Sequence, residues 1–237
     1  MQKNWYKMKD KPIEINKGHL IDKVHKGIRF DNEKNRKGHE TKKHWSPTDS
    51  SKCPRALWYA WKGFPVEYTD EELAVFSIGN FTHEFLQKIL QNTGVQLCAE
   101  YRIDVNWKGF PVAGFVDSII FDKKEGLCVV DFKTIRSSGM PFVTFKAKIE
   151  HNKQLQMYMD ILKIKKGYIL YWDKESGDML QQEVKYEPKL IKEIEQLFKL
   201  VQHHLDKNTL PNSKYDENNW KCRYCKFKEY CKKDYFL

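Results

Sequence analysis

Residues 110–133 read FPVAGFVDSIIFDKKEGLCVVDFK and decide the fold of this chain. Two apolar runs with the composition of β-strands are joined by the turn at 123–126, whose final glycine suits a tight hairpin. The first run reaches Asp117, and the second ends in Asp131-Phe132-Lys133. The pattern predicts an antiparallel hairpin that carries charged side chains on otherwise apolar strands.

The sequence on both sides of this hairpin predicts a mixed α/β domain. A second turn, at 106–109, joins a further strand to it, so a three-stranded meander is expected. Helical periodicity is clearest over 71–92, and Gly94 follows as a C-cap. The other predicted elements are helices at 46–63, 145–162 and 188–205 and strands at 95–105, 167–172 and 179–186. The order αβββαβ indicates a sheet flanked by helices.

Asp117, Asp131 and Lys133 are the candidate catalytic residues. Alternate residues of a strand share a face, so Asp131 and Lys133 point the same way. Neighbouring strands lie ~4.8 Å apart, which lets Asp117 and Asp131 share one divalent cation, Mg2+ or Mn2+. Such a cation compensates the cost of burying the carboxylates. The alternative is a surface salt bridge at a strand end, because similar acid-x-Lys triplets occur elsewhere in the chain.

Four cysteines form a second pattern, split between the two ends of the chain. Cys53 stands alone in Ser-Lys-Cys-Pro-Arg, and Cys222, Cys225 and Cys231 are spaced C-x2-C-x5-C. Four thiolates bind either zinc or a 4Fe-4S cluster. The unequal split argues against two zinc knuckles but leaves both metals open. Without a secretory signal, these thiols indicate a reducing, cytoplasmic compartment rather than disulfides.

The charge distribution favours a polyanion as partner. The net charge is +10, and the excess of lysine and arginine is concentrated before residue 45. We expect residues 1–45 to form a basic arm without periodic structure, either solvated or gripping phosphate. Residues 46–237 would form the folded domain. No apolar run approaches the ~20 residues that a membrane-spanning helix requires.

The order of several residues resembles the RecB-type branch of the PD-(D/E)XK nucleases. It runs G-x3-H at His83, E at Glu100, G-x2-D at Asp117, D-x-K at Asp131, and Q-x3-Y at Gln154 and Tyr158. The resemblance implies a restriction-endonuclease-like sheet. It assigns the metal to His83, Asp117, Asp131 and the carbonyl of Phe132, and catalysis to Lys133. Glu100, Gln154 and Tyr158 would support the site.

The cysteines resemble those of the iron–sulfur branch of the same family, which includes CRISPR adaptation exonucleases and the AddB nuclease domain. The resemblance implies a structural 4Fe-4S cluster on Cys53, Cys222, Cys225 and Cys231 that closes the two ends of the chain, with zinc as the alternative. Arg55, next to Cys53, would contact a DNA phosphate or remain an exposed surface arginine.

These observations predict a Mg2+- or Mn2+-dependent deoxyribonuclease, an exonuclease on single-stranded DNA or frayed ends. Because the sequence contains no G-x4-G-K-[ST] motif, unwinding would need a helicase, recombination or adaptation partner. The protein would act in the cytoplasm, including that of a host cell if a virus or phage encodes it. The alternative is an adaptor that binds DNA ends and keeps the fold without cutting.

Overall fold

A five-stranded mixed sheet organises the protein in the computed structural model, which describes residues 19–36, 42–216 and 218–233. The strands follow chain order across the sheet: β1 (Gln96–Trp107), β2 (Phe110–Asp122), β3 (Gly126–Ile135), β4 (Lys166–Asp173) and β5 (Met179–Lys185). The described helices are α1 (His19–Arg36), α2 (Pro54–Trp61), α3 (Asp70–Asn92), α4 (Ile149–Leu162), α5 (Pro188–Asp206), α6 (Trp220–Arg223) and α7 (Lys228–Lys233). None of them is long and apolar enough to cross a bilayer.

The topology confirms the predicted αβββαβ order. β1, β2 and β3 form the antiparallel meander, and β4 and β5 form a second antiparallel pair. β3 and β4 are parallel, so the chain crosses the sheet between them through α4. Mixed pairing of this kind places the middle of β3 in the interior of the sheet.

The two faces of the sheet have separate cores. α4 covers one face, where Leu155 packs against Val129 and Ile169. α3 covers the other, where Leu86 packs against Val130 and Phe132. Because side chains alternate along β3, Asp131 and Lys133 share the α4 face while Phe132 faces α3.

Helix α3 was predicted closely, because its ends carry strong local signals. Thr69 and Glu72 form a reciprocal capping box at its start. Gly94 follows the end of the helix with a φ of 72°, the left-handed conformation typical of a glycine at this position. The predicted helix 46–63 is instead a 3-10 turn, Pro47–Asp49, followed by α2, since Pro54 starts a helix rather than continuing one.

The predicted helix 145–162 begins four residues late, at Ile149. The preceding backbone is held by side chains of the sheet rather than by helical hydrogen bonds. Gln182 donates to the carbonyls of Val143 (2.6 Å) and Thr144 (2.9 Å). The hydroxyl of Tyr171 accepts the Lys148 N–H at 3.1 Å.

The region expected to be an aperiodic arm contains α1. Much of that arm, 1–18 and 37–41, lies outside the described residues. α1 packs on α3, with Arg29 and His25 both paired with Asp70. At the end of the arm, Trp45 is fully buried and stacks on Phe198 with ring centroids 4.0 Å apart. Trp45 also makes two main-chain hydrogen bonds to β2, so it belongs to the folded domain.

Candidate active site and cysteine cavity

The candidate site lies where β2 and β3 separate. Their antiparallel register ends at Ser118 and Val130, so the next residues, Asp117 and Asp131, stand in the opening. Asp117 bridges it, because its Oδ2 accepts the Phe132 N–H at 2.7 Å. The hairpin thus brings the two predicted aspartates together at a break in its ladder.

The β1 side of the opening is irregular as well. The register passes from Ala99–Ser118 to Tyr101–Val116 without pairing Glu100 and Asp117, and Glu100 has a left-handed φ of 46°. Such a conformation is strained for a residue with a side chain. Gln87 of α3 holds the two strands here. Its amide lies 2.6 Å from Glu100 Oε1 and 3.1 Å from the Asp117 carbonyl oxygen, donating to both.

His83 reaches the same opening from α3, one turn before Gln87. Its Nδ1 lies 3.4 Å from Asp117 Oδ1, and its ring meets Phe132 edge-on. Burial lowers the pKa of His83, but the neighbouring Asp117 carboxylate outweighs it, so the pKa is raised overall. The predicted convergence of His83 and Asp117 is therefore present in the fold.

Asp131 is almost fully buried, with 1% of its surface exposed. Lys133 Nζ lies 2.5 Å from its Oδ2 as an ion pair, yet neither carboxylate oxygen has a well-directed hydrogen-bond partner within the described part of the chain. Burial raises the pKa of Asp131 to about 6, with a further contribution from Asp117, and Lys133 opposes the shift. A buried carboxylate left in this state calls for an additional positive charge.

The donor set fits a hard divalent cation. Two carboxylates and a backbone carbonyl are oxygen ligands of the kind that Mg2+ and Mn2+ prefer, and an imidazole is tolerated. In the described residues no three His, Cys, Asp or Glu side chains are preassembled as a metal site. Instead, Lys133 pairs with Asp131, and His83 lies 3.4 Å from Asp117 Oδ1. The Asp131 oxygens, which are buried and have no well-directed hydrogen bond within the described residues, favour a cation between the two carboxylates.

α4 supplies the floor of the site. Tyr158 donates from its hydroxyl to the Phe115 carbonyl (2.7 Å). Burial and the charge of Asp131 raise the pKa of Tyr158, and a hydrogen bond from Gln154 partly opposes this. The predicted pair Gln154 and Tyr158 is thus in mutual contact beneath Asp131.

Sequence reasoning missed three residues that contact this set. Gln87 lies four residues after His83, and that helical spacing was a usable signal. Tyr171 and His151 gave none. Tyr171 pairs with Lys133 only through the parallel register of β3 and β4, and His151 reaches Tyr171 from α4. His151 Nδ1 lies 2.9 Å from the Tyr171 hydroxyl. Burial, then the charges of Lys133 and Lys148, lower the pKa of His151 to about 3.

The four predicted cysteines line one cavity of about 440 Å³. All are free thiols, and Cys53 sits at the N-terminus of α2. Burial raises the pKa of Cys222 and Cys225, and the neighbouring thiols raise them further. Four thiols around a shared cavity fit a ligand that stabilises their charged form, and a 4Fe-4S cluster or zinc has that chemistry.

Arg55 lies at this cavity. It donates from Nε to the Pro211 carbonyl at 2.8 Å and from Nη1 to Cys231 Sγ at 3.5 Å. These bonds join α2 to the C-terminal segment and give Arg55 a structural role that does not involve DNA. Its contact with a phosphate stays a prediction.

The mixed sheet brings Asp117, Asp131 and Lys133 to one opening, the arrangement that the resemblance to a nuclease led us to expect. A model of the PD-(D/E)XK nuclease superfamily matches residues 81–232, well over half of the chain. The chain belongs to the PD-(D/E)XK nuclease superfamily, as the sequence pattern predicted.

Two relatives bear on this assignment. The chain is 26% identical over 195 residues to the CRISPR-associated exonuclease Cas4 of Saccharolobus solfataricus, covering 78% of this chain and 85% of that protein. The crystal structure of SSO0001 shares its fold, with a TM-score of 0.61 and 22% identity over 91% of this chain and 97% of the other.

Proposed function

We propose that this protein is a metal-dependent DNA nuclease and that it removes nucleotides from single-stranded DNA or frayed ends. The observation that carries the proposal is the state of Asp131, a buried carboxylate at the β2–β3 opening. Its oxygens have no well-directed hydrogen bond within the described residues, although Lys133 lies beside it on the same strand. A structural salt bridge needs no second aspartate and histidine beside it. The exonuclease named among the relatives supports the preference for DNA ends.

His83, Asp117, Asp131 and the Phe132 carbonyl would hold the cation. Bound Mg2+ or Mn2+ would act as a Lewis acid on the phosphodiester and lower the pKa of an attacking water. Lys133 would orient the attacking water at the same opening. Its ammonium, which lies 2.5 Å from Asp131 Oδ2, would also offset charge that develops on the phosphate.

The surrounding residues would keep these groups in place. Gln87 fixes the main chain of Asp117 through its carbonyl and ties it to Glu100. Tyr158 fixes β2 from the opposite side through the Phe115 carbonyl. Preorganisation of this kind matters because the reacting groups must be held within fractions of an ångström.

We infer a structural role for the cysteine cavity. Cys53, Cys222, Cys225 and Cys231 would hold a 4Fe-4S cluster, with zinc as the alternative, and the group would join α2 to the C-terminal segment. The cavity they share and the raised pKa values of Cys222 and Cys225 support a ligand that takes up thiolate charge.

The decisive experiment is degradation of end-labelled single-stranded and duplex DNA with Mg2+, Mn2+ or EDTA. The wild-type protein is expected to shorten single strands from an end, only with metal, and Lys133→Ala is expected not to. If the protein binds DNA but cleaves it with neither metal, the nuclease proposal is rejected. The protein would then be an adaptor that binds DNA ends in the cytoplasm together with other proteins.

A further inference from the structure

Two phenylalanines beside the site are almost fully in solvent. Phe145 is 95% exposed, the highest value for a large apolar side chain in the described part of the chain, and Phe142 is 79% exposed. Both belong to the 136–148 loop, which connects the Asp131–Lys133 strand to α4. Exposing two aromatic rings to water has a cost that folding alone does not explain.

The loop that presents these rings is well anchored. Val143, next to Phe142, is fully buried, and Ala147, two residues after Phe145, is 8% exposed, so both belong to the core. Gln182 binds the carbonyls of Val143 and Thr144, as described above. The rings therefore stand on a fixed backbone and could collapse onto the core only if these contacts broke.

The register of the sheet places the loop next to the candidate site. Asp131 pairs with Ile169, and Ile169 pairs with Gln182, the residue that grips the loop. Two strand spacings separate Gln182 from Asp131, or ~10 Å. Val143, Ile169 and Tyr171 share one core cluster, so the loop covers the face that Asp131 and Lys133 occupy.

The charge of the loop suits a polyanion. Residues 136–148 contain Arg136, Lys146 and Lys148 and no aspartate or glutamate. None of these three cations makes an ion pair with another described residue. Two acidic groups touch the loop, both at Ser137: Glu175 accepts its N–H at 3.1 Å, and Asp173 accepts a hydrogen bond from its side chain. Aromatic rings interleaved with cations are the means by which proteins hold single strands, since bases stack on the rings while phosphates meet the charges.

We propose that Phe142 and Phe145 form a stacking platform for unpaired bases next to the scissile phosphate, with Arg136, Lys146 and Lys148 on the strand's phosphates. The inference rests on the proposed function and deepens it, because it gives the preference for single strands a physical origin. The bases of an intact duplex are stacked on each other and present no free face to these rings.

Binding of a fluorescein-labelled oligothymidylate, measured by anisotropy in EDTA, tests the platform without cleavage. The Phe142→Ala/Phe145→Ala double variant is expected to weaken binding about 5- to 100-fold, as loss of base stacking does. Replacing Phe145 with Trp in the Phe142→Ala background is expected to restore most of the lost affinity, and Leu is expected not to. Phe121→Ala is the matched control, because Phe121 is 52% exposed but pairs with Leu127 at the far end of β3.

An abasic oligonucleotide of the same length isolates the role of the bases. Wild-type protein should bind it weakly, and the double variant equally so. Unchanged affinity of the double variant for oligothymidylate would overturn the proposal, as would an equal loss on the abasic strand. If the double variant differs from the wild type in sedimentation but not in DNA binding, the rings mediate self-association and the proposal is overturned.

Hydrolysis of methyl p-nitrophenyl phosphate, a phosphodiester without a base, separates this inference from the nuclease itself. If the wild-type protein hydrolyses this ester, the catalytic centre is established whatever the anisotropy measurement shows. If the wild-type protein cleaves neither ester nor DNA, the nuclease proposal fails while the anisotropy measurement still decides the platform.

Discussion

The Lys133 ammonium lies 2.5 Å from one oxygen of Asp131, and neither oxygen of that buried carboxylate has a well-directed hydrogen bond to any described residue. Lys133 neutralises the Asp131 carboxylate only in part, because burial still raises the pKa of Asp131 to about 6. A cation would complete the neutralisation. Several expectations follow from this relationship, from its neighbours and from the cysteine cavity.

Metal should stabilise the protein more as the pH rises. Asp131 has a folded pKa of about 6, above the ordinary ~3.9, so the metal-free folded state binds the extra proton. Stability of the metal-free protein therefore falls as pH rises from ~4 to ~6. Because the cation competes with this proton, the Mn2+-induced rise in Tm should be small near pH ~5 and larger near pH ~7.5. Thermal unfolding of the wild type and Asp131→Asn checks this, and a pH-independent rise would contradict it.

Lys133→Ala should abolish cleavage without abolishing metal binding. Removing a charge that acts on the reacting phosphate costs about 10²- to 10³-fold in rate. The Mn2+-induced rise in Tm should persist, since the proposed ligands remain. Asp117→Ala and Asp131→Ala should instead lose both properties. Lys124→Ala, in the β2–β3 turn, is the matched control, and wild-type cleavage by Lys133→Ala would remove that residue from the mechanism.

Gln87→Ala should weaken the site through the position of Asp117. We expect the metal concentration for half-maximal activity to rise about 10-fold, the lower end for a residue that orients a metal ligand. The loss of a buried hydrogen bond should cost about 1 kcal/mol in the free energy of unfolding. Metal titration of cleavage measures the first effect and urea unfolding the second. Gln91→Ala, one turn later and exposed, should show neither change.

Replacing any of the four cavity cysteines with serine should remove the bound metal. Anaerobically purified wild-type protein is expected to be brown and to contain iron and acid-labile sulfide, and Cys225→Ser to be colourless with a lower Tm. Cys98→Ser is the control, because Cys98 lies on β1, away from the cavity. A colourless wild type with stoichiometric zinc would reject the cluster and retain the site.

Local signals account for the parts of the fold and site that sequence could predict. Asp131 and Lys133 share a face because strands alternate, and Asp117 reaches them because a tight hairpin makes the strands adjacent. Tyr171 and Gln182 could not be placed in this way. Their position depends on the parallel register of β3 and β4, which is fixed by packing of α4 rather than by any short sequence pattern.

Phe145 shows how periodicity can mislead. Its apolar side chain continues the pattern of α4, so the sequence predicts a helix that begins there. In the structure the helix begins four residues later, at Ile149, and Phe145 is the side chain left outside the core. A residue that satisfies the helical pattern but is withdrawn from it by tertiary hydrogen bonds is a reasonable place to look for binding.

Trp45 sets a practical limit on shortening the protein. The sequence predicts that the folded domain begins at Ser46, yet Trp45 is 0% exposed and its main chain donates to and accepts from β2 as an added strand would. Deleting so large a buried aromatic typically costs about 3–5 kcal/mol, a large share of the stability of a domain. A shortened version that starts at Ser46 would thus be compromised for reasons unrelated to charge or DNA, and only trimming that spares this tryptophan can reveal what the basic segment contributes.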